Sequence, residues 1–387
     1  MNSQYNEWMS HLSSLPVVAL ITTGRTGSDF LQSLLDSHPQ VATFNGHFAI
    51  YTEFFENSVT ISYKKPRVCD VADEFIGKYI YKLVSRYDIQ EAKDELGINS
   101  DQSFTIDTAE FKKHMIFLMK DYAINSRNIL LSIYGAYSLC IGQDILKLRT
   151  IMHHPHLDFE FDKFHKDFPG TRIIFTSRDP RANFCSHVEH FKKYYSSHNN
   201  QRHLYNCLKM ALEDSEIADS YKLEYTATRL EDLPRKDVMQ KLAEWFNIKY
   251  SDSMLRSTWV GLDWHGDRIS NKVFSSTGWS KDRVSNGWEE KLGVTDKYIL
   301  NYILNSRLKH YLYPVKNVGI IDSFIVFFLI VFPLKYERNF AKYSYIKDRI
   351  VNGKGSQLIY TPIYYLKRVV LCYKYYFRTL KKVKFSR

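Results

Sequence analysis

The sequence has little that would place it by inspection. Its five cysteines, Cys69, Cys140, Cys185, Cys207 and Cys372, are scattered, odd in number and without metal-like pairing. That argues against a disulfide framework and a zinc site, and points to a reducing compartment. The start, Met1-Asn2-Ser3-Gln4-Tyr5-Asn6-Glu7, has no basic patch leading into an apolar core, so no secretion signal or amino-terminal anchor is expected there. No repeat or low-complexity linker interrupts the chain. Val318 to Leu334 is strongly apolar between Phe324 and Phe332, yet it falls short of the roughly 20 residues a spanning helix needs, and Asp322 and Pro333 interrupt its edges. A net positive charge is absent from most of the chain as well. The net +11 is a property of the tail: Lys335 to Arg387 holds 14 Lys/Arg against 2 Asp/Glu, which leaves the preceding residues close to neutral. A sequence-nonspecific nucleic-acid binder spreads its basic residues over a grooved face, so nucleic acid is not an expected partner.

What is present begins at Val17. The apolar run Val17 to Ile21 empties through Thr22-Thr23 into Gly24-Arg25-Thr26-Gly27-Ser28, and a helix-like stretch follows from Asp29 to Ser37. That order sets backbone N–H groups and a helix N-terminus around an anion, which is how proteins hold phosphate. A loop for ATP or GTP ends in Gly-Lys-Ser/Thr; here no lysine follows the second glycine, and Arg25 offers a forked set of donors instead. About 150 residues on, Thr171 to Ser177 reads as a buried strand. Arg178-Asp179-Pro180-Arg181 follows at once, with Pro180 suited to the first turn of a helix and Ser186 about two turns along it.

With these segments the chain resembles the sulfotransferases that use 3′-phosphoadenosine-5′-phosphosulfate (PAPS). The resemblance implies that Gly24, Arg25, Thr26, Gly27 and Ser28 hold the 5′-phosphosulfate, and that Arg178 and Ser186 hold the 3′-phosphate. Two further landmarks come in the family's order. Arg229-Leu230-Glu231-Asp232-Leu233 is similar to its Tyr-Glu-Asp-Leu segment, with Leu230 in place of tyrosine. Arg283-Val284-Ser285-Asn286-Gly287-Trp288 is similar to its late Gly-x-Trp loop, so Arg283, Ser285 and Gly287 are expected to complete the 3′-phosphate cage, with Arg268-Ile269-Ser270 as a competing assignment. Arg181 is open between pairing with Asp179 and contacting an acceptor. PAPS is then the expected co-substrate, and no metal is required, because arginine and backbone donors can do what magnesium does for ATP.

The pattern predicts an α/β, P-loop-like three-layer fold with a central parallel sheet, an inserted helical lid and a helical C-terminal extension. A first, central strand is expected at Leu15 to Thr22 and a short one at Val41 to Phe44. Helices are expected at Ala72 to Arg86 and Thr108 to Tyr122, and a return to the sheet at Asn128 to Ile133 or Gln143 to Leu148. Beyond these come helices at Pro180 to Tyr194, His203 to Ser220 and Arg235 to Phe246, with a strand near Leu223 to Thr226. The catalytic domain is placed at 1–314, with 50–145 as the lid and acceptor region, and the extension at 315–387.

For the proton acceptor, the family's Glu or His soon after the first helix corresponds to His47, which follows His38-Pro39 and Gly46. An imidazole is neutral often enough at cellular pH to serve. Glu53 or Glu56, and the cluster His153, His154 and His156, are the alternatives; that cluster lacks the second ligand group a metal site needs. With His47, Arg25 is the other catalytic candidate. The lid aromatics Tyr51, Phe54, Phe55, Tyr63, Tyr79 and Tyr81 read first as packing and second as a stacking face for sugars. The first segment resembles the carbohydrate sulfotransferases more than the phenol and steroid enzymes. The expected acceptor is therefore a carbohydrate or lipid-linked saccharide, and the enzyme a cytoplasmic, bacterial one. The apolar wedge beside the basic, aromatic tail suits an anionic membrane surface on the inner face, ahead of a buried or oligomer contact and of a tilted span. A nucleoside-triphosphate-dependent, kinase-like enzyme and a non-enzymatic membrane adaptor on the same fold are the rival readings.

Overall fold

The structure, a computed structural model, describes residues 2–385 apart from 23, 45, 59–60, 62–64, 85–94, 157, 195–199, 214–223, 234 and 267–286. Val17–Ile21 forms β1, and all five of its residues are buried, as the strand of a sheet covered on both faces must be. β1 is the middle of five strands. With β2 (Val41–Ala42), β3 (Thr150–His156), β4 (Arg172–Ser177) and β5 (Tyr225–Arg229), the order is β2-β3-β1-β4-β5. β1 runs parallel to both neighbours, Val17 opposite Ile151 on β3 and Ile21 opposite Phe175 on β4, and β2 runs parallel to β3. The central parallel sheet and the place of β1 are as the sequence predicts.

The chain divides into two compact units. The first holds Met1–Thr176 and Lys222–Val284, the second Ser177–Tyr221 and Ser285–Arg387. In the first, α1 (Asn2–Ser14) and α2 (Ser28–Leu35) flank β1 in sequence. One core joins Val18 and Leu20 of β1 to Phe30, Leu31 and Leu34 of α2 and to Met239 and Phe246 of a later helix, given below as α10. The stretch 50–145 is helical, as expected: a π-helical turn at Ile50–Phe55, then α3 (Val68–Tyr79), α4 (Tyr81–Val84), α5 (Thr108–Leu118) and α6 (Ser126–Cys140). α6 occupies the place where the sequence suggests a returning strand. Asn125 caps it, its side chain accepting from the Asn128 N–H at 2.8 Å, and every residue from Asn128 to Ser138 is buried. A helix buried all round shows no polar face, so its apolar run reads like an interior strand. Gly135 lets α1 and α5 close on α6: a Cβ there would meet Leu12 Cδ1 and Leu118 Cδ1 at 2.7 Å. The returning strand is β3 instead, after a 3₁₀ turn at Ile145–Lys147.

α7 (Asp158–Asp167) follows β3. The buried Glu160 on it accepts from the backbone N–H groups of Tyr51 at 3.1 Å and Thr52 at 2.7 Å, and so holds the π-helical turn by its N-terminus. α10 (Lys236–Phe246) ends on Asn247 in the left-handed region, and a hairpin of β6 (Thr258–Trp259) and β7 (Leu262–Asp263) comes after it.

In the second unit, α8 (Pro180–Tyr194), α9 (Gln201–Glu213), α11 (Trp288–Lys291), α12 (Val294–Ile303), α13 (Asn305–His310), α14 (Ile320–Leu329), α15 (Tyr343–Val351) and α16 (Ser356–Phe385) gather on one core. That core takes Phe184 and Leu208 from α8 and α9, Ile299 from α12, Val326 from α14, and Leu371 and Tyr375 from α16. The buried pair Arg368–Glu337, at 2.8 Å, fastens α16 further, and Gln201 of α9 bonds to the same Glu337. Val326, Leu371 and Tyr375 thus share a core with residues of α8, α9 and α11 to α13, within the second unit. Tertiary packing of an apolar, basic tail is not written in its composition.

Candidate active site

The loop after β1 is held from beneath by three threonines. Thr26 Oγ1 lies 2.6 Å from Thr22 Oγ1 and 2.7 Å from Thr176 Oγ1 on β4, and all three residues are buried. The Gly24 N–H donates to Thr22 Oγ1 at 3.0 Å. Fixed at both ends, the loop passes through the left-handed region three times: Gly24 at φ 91°, Arg25 at 57° and Gly27 at 95°. A non-glycine residue rarely adopts that conformation, and such strain gathers at ligand sites. Gly27 has a second reason to lack a side chain: a Cβ there would lie 2.6 Å from Leu230 Cδ1. The residue standing in the family's tyrosine position therefore packs against the turn. Gly27 is the N-cap of α2, whose first intrahelical bond runs from the Leu31 N–H to the Gly27 carbonyl at 3.0 Å. Arg25 is half-buried and Ser28 buried at the first helical position. A left-handed, glycine-bounded turn opening a helix, with an arginine in it, has the form in which proteins hold anions.

One turn further along α2, Gln32 is buried and spends its whole amide. Its Nε2 donates to the carbonyls of Phe44 at 3.0 Å and Gly46 at 3.1 Å, and its Oε1 lies 2.9 Å from His154 Nδ1. The amide oxygen can only accept, so His154 carries its proton on Nδ1. These bonds, and the Phe48 N–H donating to the His154 carbonyl at 3.0 Å, fix the segment on either side of His47. The half-buried His47 ring has its centroid 6.0 Å from that of His154, edge to face. The structure thus brings His47 into the network that starts from α2, and Gln32 is the residue the sequence analysis does not single out.

Of the alternative proton acceptors, Glu53, Glu56, His153 and His154 each have partners of their own. Glu53 pairs with Lys82 at 3.1 Å and Glu56 with Lys163. His153 is buried between Tyr134, whose hydroxyl lies 2.9 Å from its Nδ1, and Phe164, on which its ring stacks. Burial pushes its pKa down to about 3, so it is neutral. His156 ends β3. Tyr51, Phe54 and Tyr79 serve packing: the Tyr51 hydroxyl donates to Asp167 at 2.7 Å, and the buried Phe54 ring meets Phe75 and Tyr79. Tyr63 lies outside the described residues. Among the described residues, no group of three or more His, Cys, Asp or Glu could hold a metal ion.

In the second unit, Arg178 follows the end of β4 in the chain, and α8 begins at Pro180 as expected. Asp179 caps it, accepting from the Arg181 N–H at 2.9 Å, and takes the Arg181 side chain in two-pronged fashion, Nε at 2.9 Å and Nη2 at 2.5 Å. Arg181 also donates to Asn301 at 2.8 Å and to the Pro314 carbonyl at 3.1 Å, and its guanidinium lies 4.1 Å from the centre of the Trp288 ring. Arg181 therefore pairs with Asp179 and anchors Trp288; it does not reach out to an acceptor. Arg178 and Ser186 are half-buried. Gly287, at φ 49°, is the N-cap of α11 immediately before Trp288. Arg283 and Ser285, with the competing Arg268 to Ser270, lie outside the described residues.

A sequence profile of the sulfotransferase family matches residues 16–252. No curated protein matches the chain. Solved structures similar to it include a sulfotransferase domain from the curacin biosynthetic pathway, at 12% identity over 78% of this chain and 99% of that one, with a TM-score of 0.46. Others are the sulfotransferase domain of the Synechococcus PCC 7002 olefin synthase (12% identity, 71% and 88%, TM-score 0.38) and sulfotransferase STF9 from Mycobacterium avium (11%, 82% and 83%, TM-score 0.37). The family match takes in the loop after β1, the His47 segment and the start of α8, and the chain belongs to the sulfotransferase family.

Proposed function

We propose that this sulfotransferase moves a sulfuryl group from PAPS to a hydroxyl of a carbohydrate or lipid-linked saccharide, leaving 3′-phosphoadenosine-5′-phosphate (PAP). The observation that carries the reading is the turn at residues 24–28: three left-handed residues, no lysine and an arginine at its centre, opening α2. Gly24, Arg25, Thr26, Gly27 and Ser28 would hold the 5′-phosphosulfate, and Arg178 and Ser186, with Arg283, Ser285 and Gly287, the 3′-phosphate. The turn suits such a group: Thr22 and Thr176 fix it through the Thr26 hydroxyl, and its left-handed residues 24, 25 and 27 lead into the N-terminus of α2. PAPS, when bound, supplies an activated sulfuryl group on a phosphate leaving group. Arg25 and the backbone donors of the turn steady the negative charge that grows on the departing oxygen, preorganised and so at little reorganisation cost. His47 takes the proton of the acceptor hydroxyl on a ring nitrogen, and Gln32 with His154 keeps its segment in place.

A carbohydrate acceptor is favoured by the His38-Pro39 to Gly46-His47 segment. A cytoplasmic setting fits five free cysteines, of which burial pushes Cys185 up to about 12 and Cys372 up to about 11. The test is product analysis with labelled PAPS, a panel of glycans and lipid-linked saccharides, and a panel of small phenols. Label in a saccharide is the expected result. Label in phenols alone overturns the acceptor class, and magnesium-dependent ATP turnover without sulfuryl transfer overturns the reaction.

A further inference from the structure

α14 and α16 each bury one face in the core of the second unit and turn a second apolar face outward. On α14, Val326 and Ser323 are buried, while Ile321, Phe324 and Phe328 are 75%, 68% and 65% exposed at spacings of three and four, which is one side of a helix. The turn after it adds Val331 and Phe332, both exposed. On α16, Leu371, Cys372 and Tyr375 point inward, while Ile359, Ile363, Leu366, Val370 and Phe377 make an exposed stripe along the opposite side. The two faces are continuous. Tyr373 donates to the Phe327 carbonyl at 2.8 Å, its ring meets Phe327 at 5.3 Å and stacks with Phe377, and Tyr365 bonds to the Val331 carbonyl. Monomeric proteins rarely leave an apolar surface of this kind bare, and a contiguous one marks an interaction site.

The charge beside the stripe has one sign. Lys367, Lys374 and Lys381 each stand four residues after Ile363, Val370 and Phe377, so all three run alongside it, and Arg378 joins them; all four are exposed. The segment from Lys335 to Arg387 has only Glu337 and Asp348 as acidic residues, and Glu337 is buried against Arg368. A second copy of the chain, docked face to face, would set basic flank against basic flank. A layer of anionic headgroups over acyl chains offers what both parts of the surface lack: negative charge for the lysines and hydrocarbon for the phenylalanines. No helix among the described residues is long and apolar enough to cross a membrane.

We propose that the outward faces of α14 and α16 form a monotopic docking surface for an anionic lipid bilayer, with Phe324, Phe328, Leu366 and Val370 entering the headgroup boundary and Lys367, Lys374 and Arg378 on the phosphates. This goes beyond the sulfuryl-transfer reading and does not rest on it. The experiment is sedimentation of the full chain with phosphatidylcholine vesicles, with and without phosphatidylglycerol. Wild type is expected to pellet with the phosphatidylglycerol vesicles and to be released in part by salt. The Phe324→Ser/Phe328→Ser variant should bind at least about tenfold more weakly to them. Lys374→Glu/Arg378→Glu should lose the preference for phosphatidylglycerol while keeping the wild-type melting temperature. Wild type that stays in the supernatant, or variants that pellet like wild type, overturn the proposal. So does a wild-type dimer in solution that the phenylalanine variant dissolves, with no lipid binding by either; the face would then be an interface between copies.

Discussion

Gln32 illustrates how one buried side chain can hold a whole segment in place. It satisfies two carbonyls of the segment before His47 and the Nδ1 proton of His154. Replacing it with leucine strands those groups, at about 1–3 kcal/mol for each buried group left unpaired. We expect Gln32→Leu to melt earlier and to lose kcat while keeping its affinity for PAP, as read by thermal unfolding and calorimetry. His47→Ala should keep both its fold and its PAP affinity and lose about 100-fold or more in kcat, the usual contribution of a general base; near-normal turnover would remove His47 from that role. At Gly27 two constraints meet, the left-handed φ and the contact with Leu230. Gly27→Ala should weaken PAP binding, and Leu230→Ala should restore it only in part, since room is regained and the backbone strain of about 1–3 kcal/mol is not. His153 gives a pH signature. Its folded pKa is held near 3 by burial, below the ordinary 6.5 or so of an unfolded imidazole. The unfolded chain therefore binds the extra proton as pH falls from 6.5 towards 3, and stability declines across that window by up to about 1.4 kcal/mol per pH unit. Chemical denaturation at a series of pH values should show a shallower acid slope for His153→Asn. The residues named in the turn were legible because glycine, arginine and serine carry their chemistry in their spacing. Gln32 was not, since its role exists only once β3, 122 residues away, lies beside α2.

The start of α8 shows why an element can be read to the residue. Asp179 before Pro180 is a cap followed by the one residue suited to the first helical turn, and the helix runs over Pro180–Tyr194 as the sequence predicts. What the sequence leaves open is the use of Arg181, which the fold spends on Asp179, Asn301, Pro314 and Trp288. This ties the beginning of α8 to the beginning of α11, and hence to Gly287 before it. Asp179→Ala would leave the buried Arg181 guanidinium without its countercharge, a loss of about 3–5 kcal/mol. Urea denaturation should register that loss in the midpoint, whereas a drop under 1 kcal/mol or so, the range of an exposed pair, would show that the pair is not the anchor it looks to be. α6 is the opposite case. Its residues 128–138 are all buried, with Leu12 of α1 and Leu118 of α5 against Gly135 and Tyr134 bonded to β3, so periodicity carried no sign of a helix, and the cap Asn125 was the remaining signal.

Across the whole chain, the sequence separates two kinds of information. The five-stranded parallel sheet with β1 at its centre follows from buried apolar runs that alternate with helices, and it was legible from them. The division into units was not. Charge and apolarity mark residues 315–387 as different from the rest, yet Val326, Ile330, Leu371 and Tyr375 pack into one core with Phe184 and Leu208. Composition describes the outward face of that segment and is silent about the inward one. The acceptor is hidden for a similar reason: the aromatic residues of 50–145 that the structure describes mainly pack against one another, so their identity says little about what they would bind.

The central claim is that this sulfotransferase reads the 3′-phosphate of its nucleotide through Arg178. The direct measurement is thermal stability of the purified protein during titration with PAP and with AMP, which lacks that phosphate, in wild type and in Arg178→Ala. The account predicts a rising melting temperature with PAP alone, as expected for a ligand bound by the folded state, and loss of that rise in the variant. Equal responses to PAP and AMP, or a variant that responds like wild type, would contradict it.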